Sequence, residues 1–386
     1  MFSARTGWDL TPNRLSSLLE ARRKRGEAVL DLTETNPTRI GIAYPPDLLA
    51  PLADPAALSY EPSPRGMASA REAVAADYTR RGVAVQPGRV LLAASTSEAY
   101  AWLFKLLCDP GDAVLVPRPS YPLFAYLARL ESVDVHPYAL SYDGEWHLGP
   151  DAVREALTPR TRAVVVVSPN NPTGSYLKRA EAPALLELCA ERELAVISDE
   201  VFADYAFGPD PRRMASLAGD GEVLAFSLGG LSKSCGLPQL KLAWIAVSGP
   251  EKRRAPALAR LEVVADTYLS VSTPAQLAAP ALLARRPELQ RPIAERVGAN
   301  REALRRRLGP SAPASLLGAE GGWSAVIRIP ATQSEEERVT RLLEDQGVLV
   351  HPGYFFDFPD EAFLVLSLLP PRDVFDEAID RTLAVL

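Results

Sequence analysis

The sequence predicts an α/β fold: a large domain with a largely parallel sheet over residues 44–270, and a smaller α+β domain from residues 1–43 and 271–386. Three observations carry this. Short apolar runs alternate with amphipathic helical patterns through the middle of the chain, as βα repeats do. Past residue 270 the pattern changes to Arg-rich helical stretches with short strands between them. The residues before 44 precede the large domain and are free to return to the smaller one.

In chain order, the runs Arg89–Ala93, Ala113–Val116, Ala163–Val167, Leu194–Ile197, Val223–Phe226 and Leu240–Val247 read as buried strands. Ala99, Trp102, Leu103, Leu106 and Leu107 recur at i, i+3, i+4, i+7 and i+8, one face of a helix. After Pro287 come helical patterns, a Gly-Gly turn and a strand over Ser324–Ile329. A helix over Glu335–Gln346, strands at Val348–Val350 and Phe363–Leu368, and a last helix turning Val374, Phe375, Ala378, Ile379 and Leu383 inward complete the chain.

The 386 residues leave room for a sizeable core, and 47% hydrophobic with 23% charged residues is globular composition. A net charge of −6 argues against a nucleic-acid surface. No stretch reaches the roughly 18 apolar residues of a membrane span, and residues 1–15 lack a secretory signal's apolar core. Cys108, Cys189 and Cys235 are scattered and unlike a metal pattern, so free thiols in a reducing cytoplasm are expected.

In an open parallel sheet, ligands bind beyond the carboxyl ends of the strands. The first run ends in Ala94-Ser95-Thr96-Ser97-Glu98, where Ser95 and Glu98 have capping-box spacing and three hydroxyls meet a helix N-terminus suited to a phosphate. A plain helix cap is the blander reading. The second run leads to Tyr121 between Pro119 and Pro122, a stiff loop that can show a ring face to a flat ligand. The third ends in Ser168-Pro169-Asn170-Asn171-Pro172-Thr173-Gly174, in which Asn171 is biased to extended backbone by the proline after it.

The fourth ends in Ser198-Asp199-Glu200, where a carboxylate after an apolar strand needs a cationic partner, either an arginine or a ligand. The fifth leads into Gly229-Gly230-Leu231-Ser232-Lys233-Ser234-Cys235-Gly236. Only six of the 42 basic residues are lysine: Lys24, Lys105, Lys178, Lys233, Lys241 and Lys252. In a chain that otherwise uses arginine for charge, a lysine among small residues points to a use for its amine, as a nucleophile towards carbonyls.

SPNNPTG, SDEVF and LSKSCGLPQLKLAW, in that order and spacing, resemble the class I/II pyridoxal-phosphate-dependent aminotransferases, of the aspartate-aminotransferase fold (fold type I). The resemblance extends from Leu32-Thr33-Glu34-Thr35-Asn36-Pro37 to Leu364-Val365-Leu366-Ser367. It implies a mostly parallel seven-stranded sheet flanked by helices, and pyridoxal 5′-phosphate held by Lys233 as a Schiff base. It implies that Asp199 pairs with the ring nitrogen, Asn171 donates to the ring O3′ and Tyr121 stacks on the ring. Ser95, Thr96, Ser97 and Lys241 would meet the phosphate, and Tyr60 would reach the phosphate of a neighbouring subunit, which implies a homodimer with shared sites. The implied reaction passes an amino group from an amino acid or amine to a 2-oxo acid by a ping-pong route.

Three positions depart from the family pattern. Phe202 stands where a tyrosine commonly donates to O3′, and Gly230 where a phosphate-binding Ser or Thr is usual. Val365 stands where an arginine usually clamps the substrate carboxylate, a contact valine cannot make. Asn36 and Arg39, or Arg372, are the candidates by loop position to bind substrate instead. A lyase or decarboxylase on the same fold is the alternative activity. A regulator built on such a domain is a third reading, and too little chain precedes the resemblance for the DNA-binding domain it would need.

Overall fold

The computed structural model describes residues 1–309 and 311–386. Strand β1 (Leu30–Asp31) lies outside the main sheet. The main sheet is built from β2 (Val90–Ala93), β3 (Ala113–Arg118), β4 (Asp134–Tyr142), β5 (Trp146–Leu148), β6 (Thr161–Val167), β7 (Ala195–Asp199), β8 (Ala225–Gly230) and β9 (Ala243–Ser248), in the order β2-β9-β8-β7-β6-β3-β4-β5. β4, β3, β6, β7 and β8 run parallel, and β9 is antiparallel to both of its neighbours.

The sheet has eight strands, not seven. The additional one, β5, is joined to β4 by a tight turn in which Gly144 takes a φ of +116°. β4 was itself missed in the sequence, because Asp134, His136 and Pro137 break its apolar pattern and a proline argues against a strand interior. The expected strand from Leu240 starts at Ala243 instead: Pro238–Leu240 forms a single 3-10 turn and Lys241 follows with a φ of +50°.

Period-two alternation sends the two faces of each central strand into different cores. Leu91, Val114, Val116, Ala163, Val165, Ala195, Ile197, Phe226 and Leu228 pack against helices Thr96–Leu107, Leu123–Leu130 and Glu251–Tyr268. Across the sheet, Leu115, Val164, Val166 and Val196 pack against helix Ala182–Glu191. Val90, Leu92, Trp244 and Ala246 pack against helices Ala68–Arg80 and Thr273–Ala284.

The rest of the chain builds a second core around an antiparallel sheet, β10 (Ser315–Leu316), β11 (Ser324–Arg328), β13 (His351–Pro352) and β14 (Phe363–Ser367), in the order β10-β11-β14-β13. β12 (Val348–Leu349) pairs in parallel with β1. Leu15, Leu32 and Ile40 join this core beside Val339, Leu343, Phe375 and Ile379. Helix Arg286–Arg307 spans both units, with Leu289 in the core of helix Thr273–Ala284 and Ile293, Val297 and Leu304 in the second core.

Phe226 is fully buried at the centre of the large sheet. Phe226→Ala is expected to lose about 3–5 kcal/mol of stability, read as a lower denaturant midpoint.

Candidate active site

Alternation decides which way the acids at the end of β7 point. Asp199 continues the face of Ala195 and Ile197, towards helix Thr96–Leu107, whereas Glu200 turns to the opposite face. There Glu200 accepts from Ser198, Ser216 and the main-chain N–H of Leu217, and it lies 3.6 Å from Arg81. Asp199 is buried; its Oδ2 accepts from the Tyr100 hydroxyl at 3.0 Å and its Oδ1 from the N–H of Val201 at 3.1 Å. No cation pairs with it among the described residues. Burial raises its carboxyl to about 6, against the opposing pull of the Val201 and Tyr100 donors.

Lys233 sits on the one-turn helix Leu231–Ser234 that follows β8. Its Nζ lies 5.2 Å from the ring centre of Trp323 and 5.6 Å from that of Phe202, two rings packed edge-to-face 5.2 Å apart. Desolvation lowers its affinity for a proton, and the charge of Asp199 only partly restores it. The turn is fixed by its main chain: Tyr205 donates to the carbonyl of Lys233 at 2.8 Å, Gln290 to that of Ser234, and Tyr44 to that of Gly236. At Gly230 a Cβ would fit tightly, 3.1 Å from the Cβ of Ala243 and 3.2 Å from the carbonyl oxygen of Leu242.

The loop after β6 is braced by Asn170 rather than Asn171. Asn170 accepts from Ser120 and donates to the carbonyl of Pro119 and to Thr173, tying this loop to the one that carries Tyr121. Asn171 accepts from Ser324 at 3.1 Å through its Oδ1, which leaves the amide N–H group to donate elsewhere. At Gly174, with a φ of +71°, a Cβ would lie 2.4 Å from the carbonyl oxygen of Gly321. That contact brings the Gly321-Gly322 turn, and with it Trp323 and Ser324, up to Lys233 and Asn171. Glu320 pins the same turn by accepting from Lys178 and from Arg213.

Ser95 caps helix Thr96–Leu107 by accepting from the N–H of Glu98. The expected capping box is only half formed, because the Glu98 carboxylate accepts from the N–H of Ala94 and from Ser270 rather than from Ser95. Thr96 and Ser97 occupy the first turn of the helix, and their hydroxyls have no partner among the described residues. Tyr121 is half exposed at the end of the β3 loop. Lys241 is exposed in its left-handed turn two residues before β9, and Tyr60 is 71% exposed, facing outward.

Val365 has no polar task. It is buried with Trp146, Leu317, Val326, Phe356 and Phe358 in an apolar cluster that joins β5 to the small sheet. Of the substitutes, Arg372 is engaged by Asp376 and the carbonyl of Ala299. Asn36 spends its Oδ1 on the N–H and hydroxyl of Thr38, shaping a turn. Arg39, on that turn, is exposed and has no carboxylate partner among the described residues. Its loop is held between the site's two sides: Ser367 donates to the carbonyls of Leu32 and Glu34, and Pro37 lies 3.7 Å from where a Cβ on Gly236 would stand.

Sequence reasoning missed Tyr100, Trp323, Ser324 and Glu320. Tyr100 read as one more aromatic on an apolar helix face, although a buried phenol always needs a partner. The glycine pair before Trp323 was the one available signal of close approach.

Fold and site are those of an α/β protein presenting an enclosed amine and an enclosed acid at the ends of adjacent parallel strands. Residues 52–381 match the family described as aminotransferase class I and II, and the chain belongs to that family. The glutamate-pyruvate aminotransferase AlaA of Escherichia coli K12 is 30% identical over 265 residues, 67% of this chain. That match spans 65% of AlaA, just under two thirds of its length. The arginine–pyruvate transaminase AruH of Pseudomonas aeruginosa is 32% identical over 328 residues, 82% of this chain and 80% of that protein. Among solved structures, alanine aminotransferase from Pyrococcus furiosus has the same fold, with a TM-score of 0.90 over 100% of this chain and 99% of that one at 24% identity.

The raised carboxyl of Asp199 has a consequence for stability. Folding makes this acid harder to ionise, so the ionised form costs native stability above a pH of about 6, and the cost disappears as pH falls below the unfolded value. In the ligand-free protein, Asp199→Asn should therefore be the more stable form at pH 8, by about 3 kcal/mol. That advantage should be gone near pH 4, as denaturation midpoints at the two pH values would read.

Proposed function

We propose that the protein is a pyridoxal-phosphate-dependent aminotransferase that moves an amino group from an amino acid or amine to a 2-oxo acid, with Lys233 as the cofactor-holding residue. The observation that carries the reading is the pair of enclosed, mutually unpaired groups at adjacent strand ends, the Lys233 amine and the Asp199 carboxylate. A buried carboxylate with no cation and a partly buried amine with no anion, among the described residues, fit a ligand that offers a protonated ring nitrogen to one and a carbonyl carbon to the other. The unpartnered hydroxyls of Thr96 and Ser97 at a helix N-terminus fit its phosphate, with Ser95 as the cap and Lys241 supplying charge.

When bound, the cofactor supplies a sink for electrons as a bond at the substrate α-carbon breaks. This chain's residues do the rest. Asp199 would hold a proton at the ring nitrogen. Asn171, its Oδ1 occupied by Ser324, has its N–H group left to donate to O3′. Tyr121, on the loop after β3, would stack on the ring. Lys233, whose amine is disposed to give up a proton, would hold the cofactor and take up or release a proton at Nζ. Trp323 and Phe202 present ring faces to that amine.

Substrate recognition is assigned to the Asn36–Arg39 turn. Val365 lies in an apolar cluster, and Arg39 is the free guanidinium on a loop fastened to both β14 and the Lys233 turn. Alanine as donor with pyruvate or 2-oxoglutarate as acceptor comes first for testing, followed by arginine, on the strength of the relatives' names. The exposed Tyr60 is proposed to complete the site of a second subunit in a homodimer. The three free cysteines favour a reducing cytoplasm. For the domains, we propose 44–270 for the large one, extended to include helix Thr273–Ala284 because that helix packs on the large sheet, with the remainder of 1–43 and 271–386 as the small one.

Two measurements test this. Protein reconstituted with pyridoxal phosphate should show a visible absorbance band that Lys233→Ala abolishes and that an amino donor converts to the amine form of the cofactor. Release of ammonia or carbon dioxide without that conversion would overturn amino transfer in favour of a lyase. Arg39→Ala should raise KM for α-amino acids about 10–100-fold, the worth of a charge-assisted carboxylate contact. It should leave the band in place; an unchanged KM removes Arg39 from the reading.

A further inference from the structure

Tyr100 is buried on helix Thr96–Leu107, one turn beyond Thr96 and Ser97. Its hydroxyl reaches across to the end of β7 and donates to Asp199. The other tyrosine hydroxyls that donate, on Tyr44, Tyr138, Tyr176 and Tyr205, all go to main-chain carbonyls. Tyr100 alone among the described tyrosines spends its proton on a carboxylate. Its ring is held by Phe124 edge-on at 5.3 Å and by Phe104 at 5.9 Å. Phe124 lies three residues beyond Tyr121, at the start of the helix that the Tyr121 loop feeds.

We propose that Tyr100 is a positioning residue that aims the Asp199 carboxylate and sets how strongly it holds a proton at the cofactor's ring nitrogen. The inference rests on the function proposed above. With Val201 donating to one oxygen and Tyr100 to the other, the carboxylate can neither rotate nor draw back. Both donors also favour its ionised form, against the burial that disfavours it. A neutral donor suits this role better than a cation, because an arginine or lysine would neutralise the charge that the ring nitrogen needs. The same phenol touches the helix that starts at the phosphate cradle and the segment that follows Tyr121. It therefore ties the phosphate end, the ring face and the nitrogen end of the site to one buried group.

Tyr100→Phe tests this, because it removes one oxygen and leaves the ring packing in place. The titratable groups facing Asp199 are Tyr100 from its helix, Glu200 from its own strand and Lys233 from beyond β8. Glu200 stays bonded to Ser198, Ser216 and Leu217 in the variant, and Lys233 is the group the visible band reports. Without the phenol, Asp199 takes a larger share of the ring proton, and the pH midpoint of the Lys233-dependent band should move upward. The value of kcat should fall about 10-fold, with KM for the donor within about twofold. Weaker cofactor affinity should accompany this in the single variant, and in an Asp199→Asn background the same change should have no further effect on affinity. An unmoved band midpoint, or an equal loss of affinity in both backgrounds, overturns the proposal and assigns Tyr100 to packing. A wild type with no lysine-dependent band defeats the functional reading instead, before Tyr100 is tested.

Discussion

The site depends on holding an amine and a carboxylate in one enclosed space without letting them meet. Lys233 and Asp199 feel each other's charge, yet they form no ion pair. A direct pair would satisfy both and leave nothing for a ligand. Geometry keeps them apart. Asp199 is the last residue of β7 and is held by Val201 and Tyr100, whereas Lys233 is three residues past the end of the neighbouring β8 and faces two aromatic rings. The burial that makes each group costly to charge alone is what makes it useful to a ligand bearing the complementary charge.

That separation rests on the backbone more than on side chains. Gly174 and Gly321 let the loop after β6 meet the Gly321-Gly322 turn at a distance no Cβ allows, and Gly229 leaves room for the Trp244 ring on β9, 2.6 Å from where a Cβ would stand. Trp323 and Ser324 arrive through these contacts, one to wall Lys233 and the other to orient Asn171. The two cores are therefore not independent supports. The small one supplies Trp323 beside Lys233 and Ser324 bonded to Asn171, and helix Arg286–Arg307 packs into both.

The strand-end residues were legible in the sequence because each follows an apolar run whose length and alternation fix where the strand stops. Asp199 is the clearest case: the period that buries Ala195 and Ile197 also places its carboxylate. The helix Glu335–Gln346 was legible for a similar reason, with a full capping box at Ser334 and Glu337 and a left-handed Gly347 at its end. Strand β4 was not, because it carries a proline and polar residues and is held by its neighbours β3 and β5 rather than by its own pattern. Tyr100, Ser324 and Glu320 were not legible either. Their partners lie 99, 153 or 142 residues away in pairs such as Tyr100–Asp199, Ser324–Asn171 and Glu320–Lys178, and no local spacing encodes such a contact.

The departures at Phe202 and Val365 have a common physical logic. Phe202 packs edge-to-face on Trp323 beside the Lys233 amine, and Val365 lies in an apolar cluster linking the two sheets. In each place the side chain adds to an apolar wall. A wall raises the strength of every remaining electrostatic contact by excluding water. Fewer polar groups can then do the work, provided that those left are well aimed. Asn171 is aimed by Ser324, Asp199 by Tyr100 and Val201, and the Arg39 loop by Ser367 and the Gly236 turn. Asn171, Asp199 and the Arg39 loop are thus each held by a residue from another element of the chain.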